Sequence, residues 1–263
     1  MPDYTAELQF ALQVARRGGA VAMEHYHGTP ERKRKRDGSW VTEADLATEA
    51  TIREHIGSAW PDHNILGEEE GLTSRSGNDP VAGAPTWIVD PIDGTHNFMS
   101  EIPTWATLVA LRIDDRSVVG VAHAPALNET YDAAAGLGAR FNGRRMMVDA
   151  LDSLDRATVF LGGDKAFFEH DLEKLHEQLV LKSWRTRGFG DFWGHVLVAR
   201  GAGHVMLEPQ VSLWDVAALE IIVAEAGGQL THADGSTFSG EGSCLTTNGV
   251  LHEQIVAMAT GAR

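Results

Sequence analysis

Residues 87–98 read WIVDPIDGTHNF and carry two aspartates, Asp90 and Asp93, framed by Pro91, Gly94 and Thr95, with no lysine or arginine in the stretch. Carboxylates held that close repel unless a cation sits between them. Mg2+ suits such a pair, because it takes carboxylate oxygens and keeps waters for the oxygens of a substrate phosphate. The competing reading is turn and cap chemistry, where aspartate is common. The framing shifts the balance towards the metal. Pro91 pushes Asp90 into extended backbone, so an apolar strand is expected to end there. Gly94 supplies a tight or left-handed turn, and Thr95 can cap a helix that starts at His96.

Other oxygen donors lie further along the chain. GEEEG offers Glu68, Glu69 and Glu70, which alone would read as a solvated acidic turn. Asp215 opens the apolar run WDVAALEIIVAEAGG and reads by itself as an N-cap. Thr42 and Asp45, in VTEAD, read as a capping box.

These side chains need elements to bring them together. Leu8, Ala11, Leu12 and Ala15 mark one face of a first helix, and TEADLATEATIREHIGSAWP reads as a second, stopped near Gly57 and Pro61. Between them GTPERKRKRDGSW is a polar loop or hairpin. HNILGEEEG is a short strand running into the acidic turn, and TWIVD, ATLVALRID, SVVGVAHAPAL and ETYDAAAGLGARFNG are strands with turns. The pattern relaxes near Asp149–Leu154, which places a boundary between residues 1–150 and 151–263. Beyond it strands and helices alternate, as in an α/β half whose helices cover a sheet.

Bulk properties narrow the function classes. At 263 residues and 43% hydrophobic, the chain can bury a large core without staples. One cysteine, Cys244, excludes an internal disulfide and fits a reducing compartment. No apolar run is long enough to span a membrane, and MPDYTAELQF has no signal core, so a cytoplasmic protein is expected. A formal charge of −15 argues against broad binding to nucleic acid or anionic membrane. An anionic substrate would need metal ions or a local basic patch to reverse the field at its site.

Taken in order, GEE, WIVDPIDGTHNF and WDVAALEIIVAEAGG resemble the inositol monophosphatase family of metal-dependent phosphatases, over about Thr42 to Gly228. The resemblance implies a layered α/β/α/β/α sandwich, of the type shared with fructose bisphosphatase, and a homodimer. It implies a first metal on Glu68, Asp90 and the Ile92 carbonyl, and a second on Asp90, Asp93 and Asp215. Asp45 and Glu69 would lie near a third, weaker metal. The ions would be Mg2+, two or three of them, with Mn2+ as a substitute. Thr95, backed by Asp45, would orient the attacking water, and the Gly94 and Thr95 amides would hold phosphate oxygens. The reaction implied is direct phosphoryl transfer to water.

The pattern RGFGDF followed by EPQVSLWD looks most like the histidinol-phosphate phosphatases of this family, which serve histidine biosynthesis. Histidinol phosphate carries an ammonium and an imidazole, and buried cations require acids beside them. Asp191 and Glu208 could supply these, with Arg187 and Arg185 bracing them. The plainer readings are that Asp191 caps a helix, that Glu208 is exposed near a strand end and that the arginines only border a strand. An inositol-1-phosphate or sugar-alcohol phosphatase is the alternative within the fold. A non-enzymatic factor that binds RNA or the transcription apparatus is the alternative outside it. The basic run Arg32–Arg36 reads as a solvated loop that can steer phosphate. The histidines, His96 included, read as structural or surface residues, and Trp193 is the tryptophan to watch near a substrate ring.

Overall fold

The structure, a computed structural model, describes residues 2–28, 32–34, 40–74 and 80–261. Helix α1 (Thr5–Tyr26) leads into a small hairpin of β1 (Arg32–Arg34) and β2 (Trp40–Thr42), then α2 (Glu43–Ala59). Lys35 and Arg36 of the basic run lie outside the described residues. Next come β3 (Asn64–Gly67), β4 (Gly71–Thr73), β5 (Thr86–Asp93), the short α3 (Thr95–Met99), β6 (Ala106–Ile113), β7 (Arg116–Ala124), β8 (Glu129–Ala134), β9 (Gly138–Phe141) and β10 (Arg144–Arg145). The remainder is β11 (Thr158–Leu161), α4 (Asp164–Glu169), α5 (Glu173–Lys182), β12 (Arg185–Arg187), α6 (Asp191–Ala199), β13 (Val205–Ser212), α7 (Leu213–Glu225), β14 (Gln229–Thr231), β15 (Glu241–Thr247) and α8 (His252–Thr260).

The larger sheet has eight strands in the order β10-β9-β8-β7-β6-β5-β3-β4, antiparallel except for the β3–β5 pair. The smaller has five, ordered β12-β11-β13-β15-β14, with β11 parallel to both its neighbours. Alternation along each strand divides the larger sheet's side chains between two cores. Trp87 and Val89 of β5 point to the face covered by α1 and α2, where they meet Leu8, Ala15, Ile52 and Ile56. Ile88, between them, points to the opposite face, where Val196 of α6 and Ala218, Ile222 and Val223 of α7 pack.

Helix α6 also packs on the smaller sheet, through Leu197 and Val198 against Phe160 and Met206. The far side of that sheet is closed by Phe167, Leu175, Leu179 and Ile255, from α4, α5 and α8. The layers are therefore helices, eight-stranded sheet, helices, five-stranded sheet, helices: the α/β/α/β/α sandwich expected. Helix α7, late in the sequence, belongs to the larger sheet's core. Its apolar residues face strands from both parts of the chain, and one of its three acids, Asp215, sits at its first turn. Among the described residues no helix is long and apolar enough to cross a membrane.

Candidate active site

Strand β5 does not end at Asp90 as the sequence suggests. It continues to Asp93 through a bulge: Asp90 pairs with Leu108 and Asp93 with Ala106, a shift of one residue against β6. Pairing with β3 has already stopped at Val89, so the N–H that Pro91 lacks is missing where the β3 ladder is over. Thr107 Oγ1 donates to the Pro91 carbonyl at 2.9 Å, and Ile92 N donates to Asp90 Oδ1 at 3.0 Å. The bulge turns both aspartates to one side. Gly94, with φ of 85°, is then the N-cap of α3. Thr95 is its first helical residue and not its cap. Its hydroxyl lies 3.1 Å from the Ile92 carbonyl and 3.4 Å from Asp45 Oδ1.

Asp45 arrives from α2 through the expected capping box, in which Oδ2 accepts from Thr42 N at 2.8 Å and Thr42 Oγ1 at 2.6 Å. The acid is fully buried behind Thr95. Burial, with the Glu68 charge adding to it, pushes its pKa to about 6 against the pull of the Thr42 bonds.

The smaller sheet repeats the device. Glu208 precedes Pro209 within β13, and the register against β15 shifts between Glu208 and Val211. Glu208 is therefore buried rather than exposed at a strand end. Its Oε1 accepts from Asp191 N at 2.9 Å. The β13 chain then enters α7 through a second capping box, with Ser212 as the cap and Asp215 as the third helical residue, whose Oδ2 accepts from Ser212 N at 2.7 Å. Asp215 is thus the partner of a cap and not the N-cap itself.

Asp191 also departs from the helix-capping expectation. Gly190 is the N-cap of α6, and Asp191 is the first helical residue, at a left-handed φ of 56°. Its Oδ2 accepts from Asn97 Nδ2 at 2.9 Å, which ties α6 to the motif that follows Asp93. Phe192 N donates to Asp93 Oδ2 at 2.5 Å.

These elements enclose a cavity of about 210 Å3 lined by, among others, Glu68, Asp90, Asp93, Asp191, Glu208 and Asp215. Ile92, Gly94 and Thr95 form part of its wall. Oxygens of Asp90, Asp93 and Asp215 lie within 4.8 Å of one another. Glu68 falls outside that group, yet its charge bears on Asp45, Asp90 and Asp215. Burial is the first cause of every shift here. It drives Asp90 and Asp93 well above the carboxylate range, with repulsion from neighbouring acids adding to it. Asp215 is pushed to about 7 and Glu208 to about 8 by the same two causes. Asp191 rises to about 6 through burial, tempered by His96 and by the Asn97 bond. A cluster of hard oxygen donors that repel one another in a buried cavity fits a divalent cation of the Mg2+ kind.

Three expected site residues are not brought into the cavity wall, and one of them, Asp45, stands directly behind Thr95. Arg187 is exposed on β12, and its guanidinium donates to the Thr186 carbonyl at 2.9 Å. Glu69 sits in the turn after β3 with its backbone N held by Glu49 Oε2 at 2.8 Å, and it is not among the cavity-lining residues.

A family model described as the inositol monophosphatase family matches residues 3–262. The chain belongs to the inositol monophosphatase family. The family is one of metal-dependent phosphoric monoester hydrolases, and the cluster of Asp90, Asp93 and Asp215 could hold a metal ion. Among relatives, the histidinol-phosphatase of Mycobacterium tuberculosis is 39% identical, over 95% of this chain and 96% of its own. That of Streptomyces coelicolor is 36% identical, over 97% of each. The solved IMPase of Thermotoga maritima superposes with a TM-score of 0.86 at 30% identity, covering 98% of both chains.

Several residues of this inositol monophosphatase relative were not legible as site residues. His96, read as a structural or surface position, lines the cavity and lowers the pKa of Asp191. His195 is fully buried in the wall, paired with Thr246 Oγ1 at 2.7 Å, and burial pushes its pKa down to about 3. Trp193 is not in the wall: its Nε1 donates to Glu129 Oε2 at 3.3 Å. Glu49, unremarked on α2, is a fully buried acid beneath the Glu68–Glu70 turn. A glutamate on the inward face of an amphipathic helix was the available signal.

Proposed function

We propose that this protein is a Mg2+-dependent histidinol-phosphate phosphatase. The observation that carries the reading is the acid pair of half-buried Asp191 and buried Glu208 in the wall of a cavity that also holds Asp90, Asp93 and Asp215. The histidinol-phosphatases among its relatives support the same substrate. A ligand with an ammonium and an imidazole gives these acids cationic partners beyond their Asn97 and backbone N–H bonds, whereas a neutral polyol offers only hydroxyls.

In this reading residues 1–150 supply most of the metal donors and residues 151–263 the alcohol side and Asp215. Glu68, Asp90, Asp93, Asp215 and the Ile92 carbonyl would hold two or three Mg2+ ions, with Mn2+ able to replace them and Glu69 close to the weakest. When bound, such ions activate a water for in-line attack and neutralise charge on the phosphoryl and leaving oxygens. The chain's own groups do the rest. Thr95 Oγ1 positions the water and passes its proton towards Asp45, which is poised near neutrality. The Gly94 and Thr95 N–H groups donate to phosphate oxygens. Asp191 faces the alcohol moiety, and Glu208 holds the Asp191 backbone N–H. A homodimer in the cytoplasm, without nucleic acid or membrane as partner, completes the proposal.

The test is hydrolysis of a panel of phosphate esters. Histidinol phosphate should give the highest kcat/KM, and Asp191→Asn should lower it while sparing a neutral generic ester. Faster turnover of inositol 1-phosphate would favour the second reading, which the likeness to the Thermotoga maritima IMPase supports. Equal loss on both esters in Asp191→Asn would make Asp191 structural.

A further inference from the structure

We infer that Glu49 and Arg53 form a clamp that positions Glu68 for metal binding, making α2 a ruler between two parts of the site. The inference rests on the reading of Glu68 as a metal-holding residue. Asp45 and Glu49 are four residues apart on α2, so they share one face of the helix. Asp45 reaches Thr95, while Glu49 reaches under the turn that carries Glu68.

The clamp is fully satisfied. Glu49 Oε2 accepts from Glu69 N at 2.8 Å and Oε1 from Glu70 N at 3.0 Å. Arg53 Nε donates to Oε1 at 2.8 Å, and the side chains of Glu49 and Arg53 are 1% and 10% exposed. The other Arg53 nitrogens grip the far side of the turn, one on Thr73 Oγ1 at 2.9 Å and one on the Gly71 carbonyl at 2.7 Å. Gly67 is the residue that admits the carboxylate, since a Cβ there would lie 2.3 Å from Glu49 Oε1. Glu68 N donates to the Val89 carbonyl at 3.2 Å, next to Asp90. Three successive amides, those of 68, 69 and 70, are therefore fixed.

A surface turn of glutamates needs no such support. Burying a carboxylate is costly unless it is paired, and here two amides and a guanidinium pair it. The consequence is a fixed backbone at Glu68, which sets the direction of its side chain towards the cavity it lines. Groups that orient a ligand from behind typically govern metal affinity by about 10–100-fold.

The test is Mg2+ binding by calorimetry to folded protein, with thermal unfolding recorded alongside. Glu49→Gln places an amide donor against a backbone N–H and weakens the ion pair. It should bind Mg2+ about 10–100-fold more weakly than the wild type, with kcat largely restored at saturating Mg2+. Arg53→Lys keeps the charge but loses the fork, and should give a smaller loss of affinity in the same direction. A folded Glu49→Gln protein with wild-type Mg2+ affinity overturns the inference. Should Glu49→Gln fail to fold, wild-type affinity in Arg53→Lys overturns it equally. A wild-type protein that binds no Mg2+ removes the proposed function as well, so the two failures are distinguishable.

Discussion

Two places in the molecule use one device for different ends. In β5, Asp90–Pro91 bulges after the parallel neighbour β3 has stopped; in β13, Glu208–Pro209 bulges after the parallel neighbour β11 has stopped. Each bulge turns a buried acid into the same cavity, and two capping boxes add acids, Asp215 of α7 in the wall and Asp45 of α2 behind Thr95. The difference lies in the surroundings. Asp90 is ringed by Glu68, Asp93, Asp215 and Asp45, all of which raise its pKa. Glu208 is braced by the Asp191 amide and pressed between glycines 162 and 190. The first environment calls for a cation from outside; the second holds a carboxyl group in a fixed pose, which the proposed function puts at the alcohol end. Like geometry thus yields different chemistry, according to how the charge is crowded: Glu68, Asp93, Asp215 and Asp45 bear on Asp90, and Asp191 and Asp215 on Glu208.

The sharpest way to break the comparison is Asp90→Asn. Removing one charge from the ring should lower kcat by at least the ~10²–10³-fold that losing one preorganised stabilising group costs. In EDTA the same variant should unfold at a higher temperature than the wild type at pH 8, because a repulsive buried charge is gone. It should also gain less from added Mg2+. A fall in melting temperature in EDTA would mean that Asp90 is an ordinary structural acid. Next in size is Gly162→Ala. A Cβ there would lie 1.8 Å from Glu208 Oε2, so the carboxylate must leave its pose. Overpacking of this kind costs about 1–3 kcal/mol, and KM for the cationic ester should rise while Mg2+ affinity stays. Unchanged KM with intact folding would separate Glu208 from the alcohol side.

The contrast also marks how far the sequence alone could be read. The acid–proline framing of Asp90 and Asp93 stands out because the motif is contiguous, and the box of Thr42 and Asp45 is local in the same way. The five layers follow from the family resemblance. What was misplaced depends on register and tertiary contact. Thr95 and Asp215 each read as a cap as well as a site residue, and the cap reading fails because cap position changes with a shift of one to three residues. The continuation of β5 past Pro91 depends on where β3 ends. His96 joins the cavity only because α6 brings Asp191 across to it. Arg187 has the right charge and lies near the right motif, but β12 places it on an exposed edge. Glu49 needs a turn some 20 residues away to give its burial a meaning.

Glu208 offers a pH test of the braced environment. Its folded pKa is raised to about 8 from an ordinary 4.5, burial being the main cause. The native protein therefore holds a proton there that the unfolded chain gives up, and this contribution to stability is full below about pH 4.5 and lost as pH rises through 8. Thermal unfolding of wild type and Glu208→Gln in EDTA across pH 5–9 should show a steeper decline for the wild type. Parallel curves would show that the carboxylate is already ionised and held by the Asp191 amide.

The smallest expected effects come from the two capping boxes, and they sharpen the comparison between the halves. Thr42→Ala and Ser212→Ala each remove a helix cap, which costs about 1 kcal/mol of stability. Beyond that shared cost they should diverge. Thr42 Oγ1 donates to Asp45 at 2.6 Å and so helps to keep that acid from rising further. Its loss should move the acidic limb of the kcat/KM–pH profile upwards, if Asp45 acts through Thr95 as the base. The Asp215 carboxylate is held by the Ser212 backbone N at 2.7 Å, and that bond survives replacement by alanine. Ser212→Ala should therefore lose stability alone, with the pH profile unmoved. Identical profiles for both variants would mean that Asp45 takes no part in moving the proton.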